Sequence, residues 1–289
     1  MLSTRVLAVC TLVLMAAWQA CTSASGNEVV LKFNLEKGKT YHYAMDIDME
    51  NEMQGQKMAS DMNFEYDVQI TDEKDGVKTL TTTYRRIAMD MNAPGMRMEI
   101  DTDEPLKDTA AGAPANPMNM MGRMFHAVKG KSFQMKVNEQ GQIVEVTGMD
   151  QLAEAMVNST GADEEMKQSM RQMFASQFSE ENIRQSFSQA FNIFPARPVK
   201  VGDTWDREMD MKGLMAGNYK TTYTVKEISG NSVVLDMKSA MAIGDMKGSQ
   251  EGTLRVDART GLVTEGSMEQ KFGGAVNSVS KIKITGTQK

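Results

Sequence analysis

The sequence has few cysteines and histidines, the residues that form disulfides and supply thiolate or imidazole groups to metal sites and catalysis. It contains 2 cysteines and 2 histidines in 289 residues, and both cysteines, Cys10 and Cys21, lie near the N-terminus. The rest of the chain can therefore form no structural disulfide and offers few imidazole groups. Acidic residues outnumber basic ones, 38 to 32, and the net charge of −6 argues against a nucleic-acid partner.

Sequence motifs of catalysis are also lacking. The chain has no Gly-x-Ser-x-Gly, no His-Glu-x-x-His and no phosphate-binding loop. His42 is predicted on the polar face of a strand and His126 on a helix, so the two imidazoles are expected at separate surfaces. We therefore expect a protein that is not an enzyme and needs no cofactor.

The N-terminal residues have the pattern of an export signal. Arg5 precedes an apolar run, Val6–Trp18, which is too short to span a bilayer, and no later apolar run reaches ~18 residues. The first run ends at Ala20-Cys21, before a polar stretch. We therefore predict a signal peptide over residues 1–20.

The cysteine at the end of this run predicts a membrane anchor. A small residue followed by Cys21 resembles the lipobox of bacterial lipoproteins, in which the cysteine is acylated and becomes the mature N-terminus. The resemblance implies a lipidated Cys21, a flexible tether over 21–28 and, because Thr22 is not an aspartate, an outer-membrane location. The alternative is a secreted or periplasmic soluble protein in which Cys21 is unmodified.

Alternation of apolar and polar residues predicts antiparallel strands over most of the remaining chain. In residues 41–49 every odd position is apolar and most even positions are polar. The alternation recurs about a dozen times, with turn signals such as Asp75-Gly76 and Asn92-Ala93-Pro94-Gly95. The sequence therefore predicts an α+β protein, mainly antiparallel β, with about a dozen strands in a curved sheet or half-barrel.

Short helices are predicted in the middle of the chain. An N-cap followed by proline begins the first, expected over 116–129, and a helical insertion is expected over 149–194. Residues 102–115 have no periodicity and are expected to form a mobile loop. We expect the helices to cover the apolar face of the sheet.

Two parts of the chain resemble each other. Gly38–Ile47 aligns without gaps on Gly202–Met211, and the turn in Lys136–Gly141 resembles that in Arg255–Gly261. We therefore predict two similar β units, although hairpins can converge on such patterns. The first unit (29–148), the helical insertion (149–194) and the second unit (198–287) would together form one β-rich domain over 29–289.

Methionine is the compositional anomaly, with 28 residues. Burying methionine costs up to ~2 kcal/mol of side-chain entropy, but its flexible thioether adapts to varied shapes. We therefore predict an apolar groove between helices and sheet, although a bias toward methionine in place of leucine would give the same composition. The predicted groove residues, on the inward faces, are Met45, Met89, Met98, Met166, Met170, Met173, Phe174, Phe187, Phe191, Met209 and Met237.

A different interpretation makes methionine sulfur a metal ligand. Residues 118–126 resemble the Met and His clusters of periplasmic copper carriers, in which thioethers select Cu(I). The ligands would be Met118, Met120, Met121, Met124 and His126. Because methionines at helical spacing more often pack in a core, packing is favoured over copper.

Three segments resemble a family of uncharacterised bacterial envelope lipoproteins with a domain of unknown function. They are Leu31–Tyr41, Gly130–Gly148 and Pro198–Trp205. The resemblance implies an envelope location and this fold but transfers no active site. At the level of fold alone, the predicted architecture also resembles half-barrels that carry lipids and lipoproteins across the periplasm.

These observations support three functional hypotheses. The first is a lipidated envelope protein that binds a lipid-like ligand or a lipidated partner in the apolar groove. The second is an envelope scaffold or accessory protein with a packed interior that binds protein partners. The third is a Cu(I)-binding carrier. The presence or absence of a cavity between helices and sheet distinguishes the first from the second.

Overall fold

A computed structural model describes residues 28–53, 55–106, 117–177, 182–184, 191–211, 217–244, 246–274 and 277–289. The strands of the first half are β1 Thr40–Met53, β2 Gln56–Lys74, β3 Val77–Ala93, β4 Met96–Asp101, β5 Ser132–Asn138 and β6 Ile143–Thr147. Those of the second half are β7 Thr204–Met211, β8 Gly217–Ser229, β9 Ser232–Ile243, β10 Met246–Asp257, β11 Val263–Gly273 and β12 Asn277–Gln288. The helices are α1 Pro117–Val128, α2 Met149–Ser159 and α3 Glu164–Gln177.

The twelve strands form one open antiparallel sheet. Their order is β6-β5-β3-β2-β1-β12-β11-β10-β9-β8-β7, with β4 paired to the second half of β3. Pairing of β1 with β12 joins the two halves of the chain in the middle of the sheet. The predicted fold, mainly antiparallel with about a dozen strands, is confirmed.

The two halves of the sheet are built alike. Strands β1-β2-β3-β5-β6 and β7-β8-β9-β10-β11 are both five-stranded meanders, with β4 and α1 inserted into the first. A glycine of positive φ precedes each meander and donates its N–H to the second strand of that meander, Gly38 to Ile70 O and Gly202 to Val225 O, both at 2.8 Å. Directly after Ile70 and after Val225, both strands carry a one-residue bulge. The similarity predicted from sequence thus extends to the backbone.

The N-terminal segment Val29–Leu35 connects the two halves. Phe33 N donates to Glu139 O at 2.9 Å, in the turn between β5 and β6, and Asn34 N donates to Thr260 O at 2.8 Å, in the turn between β10 and β11. Alternate side chains of the segment are buried in the core: Leu31, Phe33 and Leu35. This segment, called the strap below, therefore contributes to the core of both halves.

The helices pack at one side of the sheet. α1 contacts α2, β3 and β4, α2 contacts β5, and α3 packs on α2. None of the described helices is long and apolar enough to cross a membrane.

The predicted mobile loop does not begin at Thr102. That side chain is buried, its N–H donates to Ile87 O at 3.0 Å, and its Oγ1 accepts from Ile87 N at 2.9 Å. Thr102 thus makes two hydrogen bonds to Ile87 directly after β4. The alternation of apolar and polar residues does not predict them. Residues 107–115 of the predicted loop lie outside the described residues.

Candidate functional site

The sheet encloses a cavity on its concave face. The cavity has a volume of about 490 Å³, within the ~300–1,000 Å³ range of small-molecule sites. Its lining comes from β1–β3, β5 and β7–β12, with the strap and residues 191–194 closing part of it. Because strands near both ends of the sheet, β5 and β7, line one cavity, the open sheet is curved into a half-barrel.

A row of three tyrosines lines one side of the cavity. Tyr43, Tyr66 and Tyr84 stand opposite one another on β1, β2 and β3. Burial raises the pKa of each hydroxyl, that of Tyr66 to about 12. All three hydroxyls are therefore neutral at physiological pH and able both to donate and to accept.

A fourth tyrosine lines the opposite side. Tyr223 stacks on Trp205, with ring centroids 5.6 Å apart, and Trp205 Nε1 donates to Ile193 O at 2.8 Å. Burial raises the pKa of Tyr223 to about 12. Two buried aromatic groups thus face each other across an apolar space.

Several polar groups at this cavity lack a hydrogen-bond partner. Within the described part of the chain, the hydroxyls of Tyr43, Tyr66, Tyr84 and Tyr223 make no hydrogen bond, and neither does Thr82 Oγ1, although Thr82 is 2% exposed. An unsatisfied buried polar group costs about 1–3 kcal/mol. Their concentration at one cavity indicates a site that a polar atom of a ligand or ordered water would complete.

Two charged residues also line the cavity, and only one of them is paired. The guanidinium of Arg207 donates to the main-chain oxygens of Phe194 and Asp206, while its Nε is buried without an acceptor. Among the described residues, no carboxylate lies within 4.0 Å of this guanidinium. The carboxylate of Glu208, in contrast, lies 3.0 Å from Lys220 Nζ. The cavity therefore has one uncompensated positive charge.

Arg207 begins a row of polar side chains across the concave face. It stands opposite Thr221, which is opposite Ser239, which in turn is opposite Gln250. Thr221 Oγ1 and Ser239 Oγ are 2.8 Å apart, and Gln250 Nε2 lies 3.6 Å from Met268 Sδ. Polar groups thus continue inward from Arg207 within a mostly apolar lining.

The predicted groove residues divide between the cavity and other places. Those that line it are Met45, Phe191, Met209 and Met237. Those described elsewhere are Met89 on β3, Met98 on β4, and Met166, Met170, Met173 and Phe174 on α3. Phe187 lies outside the described residues. The α3 residues are absent from the cavity lining because α3 packs on α2 instead of the concave face.

Sequence analysis missed the polar part of the site. Arg207 occupies an odd position between Trp205 and Met209, where the alternation places inward side chains. In the alignment of the two units it corresponds to Tyr43. An arginine at an inward position of a strand was therefore a usable signal, whereas Thr82 gave none.

The residues of the copper hypothesis lie on α1. Met120, Met121, Met124 and His126 are half-buried there, and the side chain of Met118 lies outside the described part. Burial and the charge of Lys129 lower the pKa of His126. Among the described residues, no group of three or more His, Cys, Asp or Glu could hold a metal ion. The preference for packing over Cu(I) binding stays a prediction.

The fold and the site define a class: an open antiparallel β half-barrel with an internal, mostly apolar cavity. Residues 75–263 match the sequence profile of a family of unknown function, DUF6263, and the chain belongs to that family. No curated protein matches the chain in sequence.

Solved structures resemble the chain in fold. A structure of lipovitellin that records lipid–protein interactions superposes with a TM-score of 0.50 and 12% identity, over 88% of this chain and 25% of the lipovitellin chain. The translocator domain of the autotransporter NalP from Neisseria meningitidis gives a TM-score of 0.38 and 8% identity, over 91% and 89% of the two chains. This chain thus spans a quarter of the lipovitellin chain, and the likeness concerns the fold alone.

Proposed function

We propose that the protein is a non-catalytic envelope protein that binds a lipid-like ligand in its cavity. The observation that carries the proposal is a mostly apolar cavity of about 490 Å³ in which several polar groups, among them Thr82 Oγ1 and Arg207 Nε, lack partners. An unfilled cavity forfeits packing free energy, and unsatisfied hydroxyls add to that cost, so a scaffold that needed only a solid core would gain by filling it. The likeness in fold to lipovitellin, whose structure records lipid–protein interactions, supports the same proposal.

Attachment to the outer membrane through acylated Cys21 is part of the proposal. The strap begins at Val29, and the eight residue steps from Cys21 to Val29 span at most about 29 Å when fully extended. An acylated Cys21 would therefore keep the strap, and with it one end of the half-barrel, close to the membrane surface. Cys21→Ser should release the protein from membranes washed with salt and carbonate, and a variant that still sediments with them would refute the anchor.

The ligand proposal is tested by analysing the protein as extracted from native membranes. We expect native mass spectrometry to detect co-purified lipid on the wild type. Met237→Trp, which places a larger side chain at the cavity lining, should abolish it. The adjacent Lys238→Trp is the matched control, because Lys238 is exposed on the other face of the same strand.

Two outcomes would contradict ligand binding. One is a wild type that carries no lipid after extraction and takes up neither hexadecanoic acid nor hexadecanol when purified. The other is equal lipid occupancy in Met237→Trp and Lys238→Trp, which would place the lipid outside the cavity. Either result would favour the scaffold, since the interior would then have only a structural role.

A further inference from the structure

We infer that the ligand is an apolar chain ending in an anionic group, and that Arg207 binds that group. The inference rests on the proposed function and adds the chemistry of the head group. Its basis is the placement of a guanidinium with no carboxylate partner among the described residues in the wall of a mostly apolar cavity.

The charge of Arg207 needs a partner that the described protein does not supply. Removing a charge from water costs free energy unless the charge is paired and hydrogen-bonded. The two main-chain oxygens that accept from Arg207 carry no net charge, and Nε has no acceptor. A carboxylate or phosphate is the group that best matches the planar guanidinium, through charge-assisted hydrogen bonds.

The sign of the ligand charge follows from the pairing of the two charged lining residues, since Glu208 has a partner of opposite charge and Arg207 has none among the described residues. The carboxylate of Glu208 is matched by Lys220 at 3.0 Å, and Lys220 also lies 3.3 Å from Asp206. A cationic ligand would therefore find no free carboxylate among the charged lining residues and would face the guanidinium. An anionic ligand would compensate the one unmatched charge.

Neutral donors and an apolar path complete the site. Thr221 and Gln250 lie in the row of Arg207 and line the cavity, so a bound anion has uncharged polar groups nearby. Beyond that row, Leu254, Ile284 and Met45 line the cavity in a second, apolar row. The head group would thus lie at Arg207 and the chain along these apolar side chains.

The test compares three probes of equal chain length on the purified, lipid-depleted mature protein: hexadecanoic acid, hexadecyl phosphate and hexadecanol. We expect the wild type to bind at least one of the two anions about tenfold or more tightly than the alcohol. The two anions distinguish a fatty acid from a phosphate-bearing lipid. Arg207→Gln should remove this preference, and Arg207→Lys should retain part of it.

Arg255→Gln is the control, because Arg255 is exposed on β10 and paired with Glu265 at 3.2 Å. Arg255→Gln should change neither the affinity for the two anions nor that for hexadecanol.

If the wild type binds all three probes equally, the head-group inference is wrong although the proposed function stands. If it binds none, the proposed function fails and the inference with it. A preference that persists in Arg207→Gln would also refute the assignment. Should Arg207→Gln fail to fold, the wild-type comparison and Arg207→Lys still decide.

Discussion

The rings of Tyr43 and Tyr66 stack inside the cavity, with centroids 5.4 Å apart and planes inclined by 13°. The two residues stand opposite each other on β1 and β2, and Gly286 stands opposite Tyr43 on β12. A Cβ at Gly286 would lie 3.0 Å from Tyr43 Cε1 and would collide with Val263 O. The glycine therefore leaves the space in which the tyrosine ring lies.

The hydroxyl of Tyr43 should not stabilise the fold. Since it makes no hydrogen bond in the described part of the chain, Tyr43→Phe should leave the free energy of unfolding unchanged or raise it by about 1 kcal/mol or more. Tyr41→Phe on the same strand is the matched control. Its hydroxyl accepts from Glu36 N at 2.9 Å, so its loss should cost about 1 kcal/mol. Denaturant unfolding measures both, and equal losses would show that Tyr43 has a partner.

Gly141 should tolerate a side chain far less well than Gly130. Both have φ near +75°, but a Cβ at Gly141 would collide with Phe191 O, whereas one at Gly130 would meet nothing within 4 Å. Gly130→Ala should therefore cost about 1–2 kcal/mol for the left-handed backbone alone. Gly141→Ala should cost about 3 kcal/mol or more, because main chain must shift. Comparable unfolding midpoints for the two variants would contradict this close approach.

The strands could be predicted from sequence because burial on one face leaves a period of two. That pattern predicts that Tyr43 and Met45 point inward, but not which residues of other strands stand beside them. The row of Tyr43, Tyr66 and Tyr84 depends on the register of three strands, including a one-residue bulge at Arg85 on β3. Pairing register arises from long-range packing, so the polar groups of the cavity could not be grouped from local patterns.

The position of α3 shows that local sequence patterns do not specify the contacts of a helix either. Its apolar stripe predicted a buried face, but a stripe does not specify which element covers it or how much of it is covered. α3 packs on α2, and two stripe residues, Met166 and Met173, are 46% and 45% exposed. The likeness of Gly38–Ile47 and Gly202–Met211, in contrast, is visible in the sequence, because the residues of the two glycine turns align without gaps.

Adjacent residues of α3 should differ strongly in their contribution to stability. Phe174 is 4% exposed, and Phe174→Ala should cost about 3–5 kcal/mol through the cavity it leaves. Met173→Ala removes a side chain that is 45% exposed and should cost less than about 1 kcal/mol. Thermal or denaturant unfolding of the two variants measures the difference. A larger loss for Met173 would mean that α3 presents its other face to the protein.

Asp67 on β2 is the centre of a cluster on the convex face. Its carboxylate lies 3.0 Å from His42 Nδ1, 2.7 Å from Arg85 Nε and 2.8 Å from Lys289 Nζ, and its side chain is 6% exposed. Burial by itself raises the pKa of Asp67, but the hydrogen bonds from Lys289, His42 and Arg85 outweigh it, so the pKa is lowered. Lys289 is thereby attached to β2 within the sheet.

This lowered pKa predicts how the cluster responds to acid. The folded pKa lies below the unfolded value of about 3.9, so the ionised carboxylate stabilises the fold fully above that value. The stabilisation is lost as the pH falls through the lower, folded pKa. Asp67→Asn should therefore reduce the free energy of unfolding at pH 7 by about 2 kcal/mol, and the gap to the wild type should narrow on acidification.

Asp61→Asn on the same strand is the control for this effect. Asp61 is exposed and stands opposite Asp48 and Asp90 on the neighbouring strands, so neutralising it removes like-charge repulsion. The free energy of unfolding of Asp61→Asn at pH 7 should equal that of the wild type or be slightly higher. Urea unfolding at several pH values from about 3 to 7, about one value per pH unit, gives the free energy of unfolding of both variants as a function of pH. A gap between wild type and Asp67→Asn that stays constant over this range would show that the carboxylate charge does not stabilise the cluster.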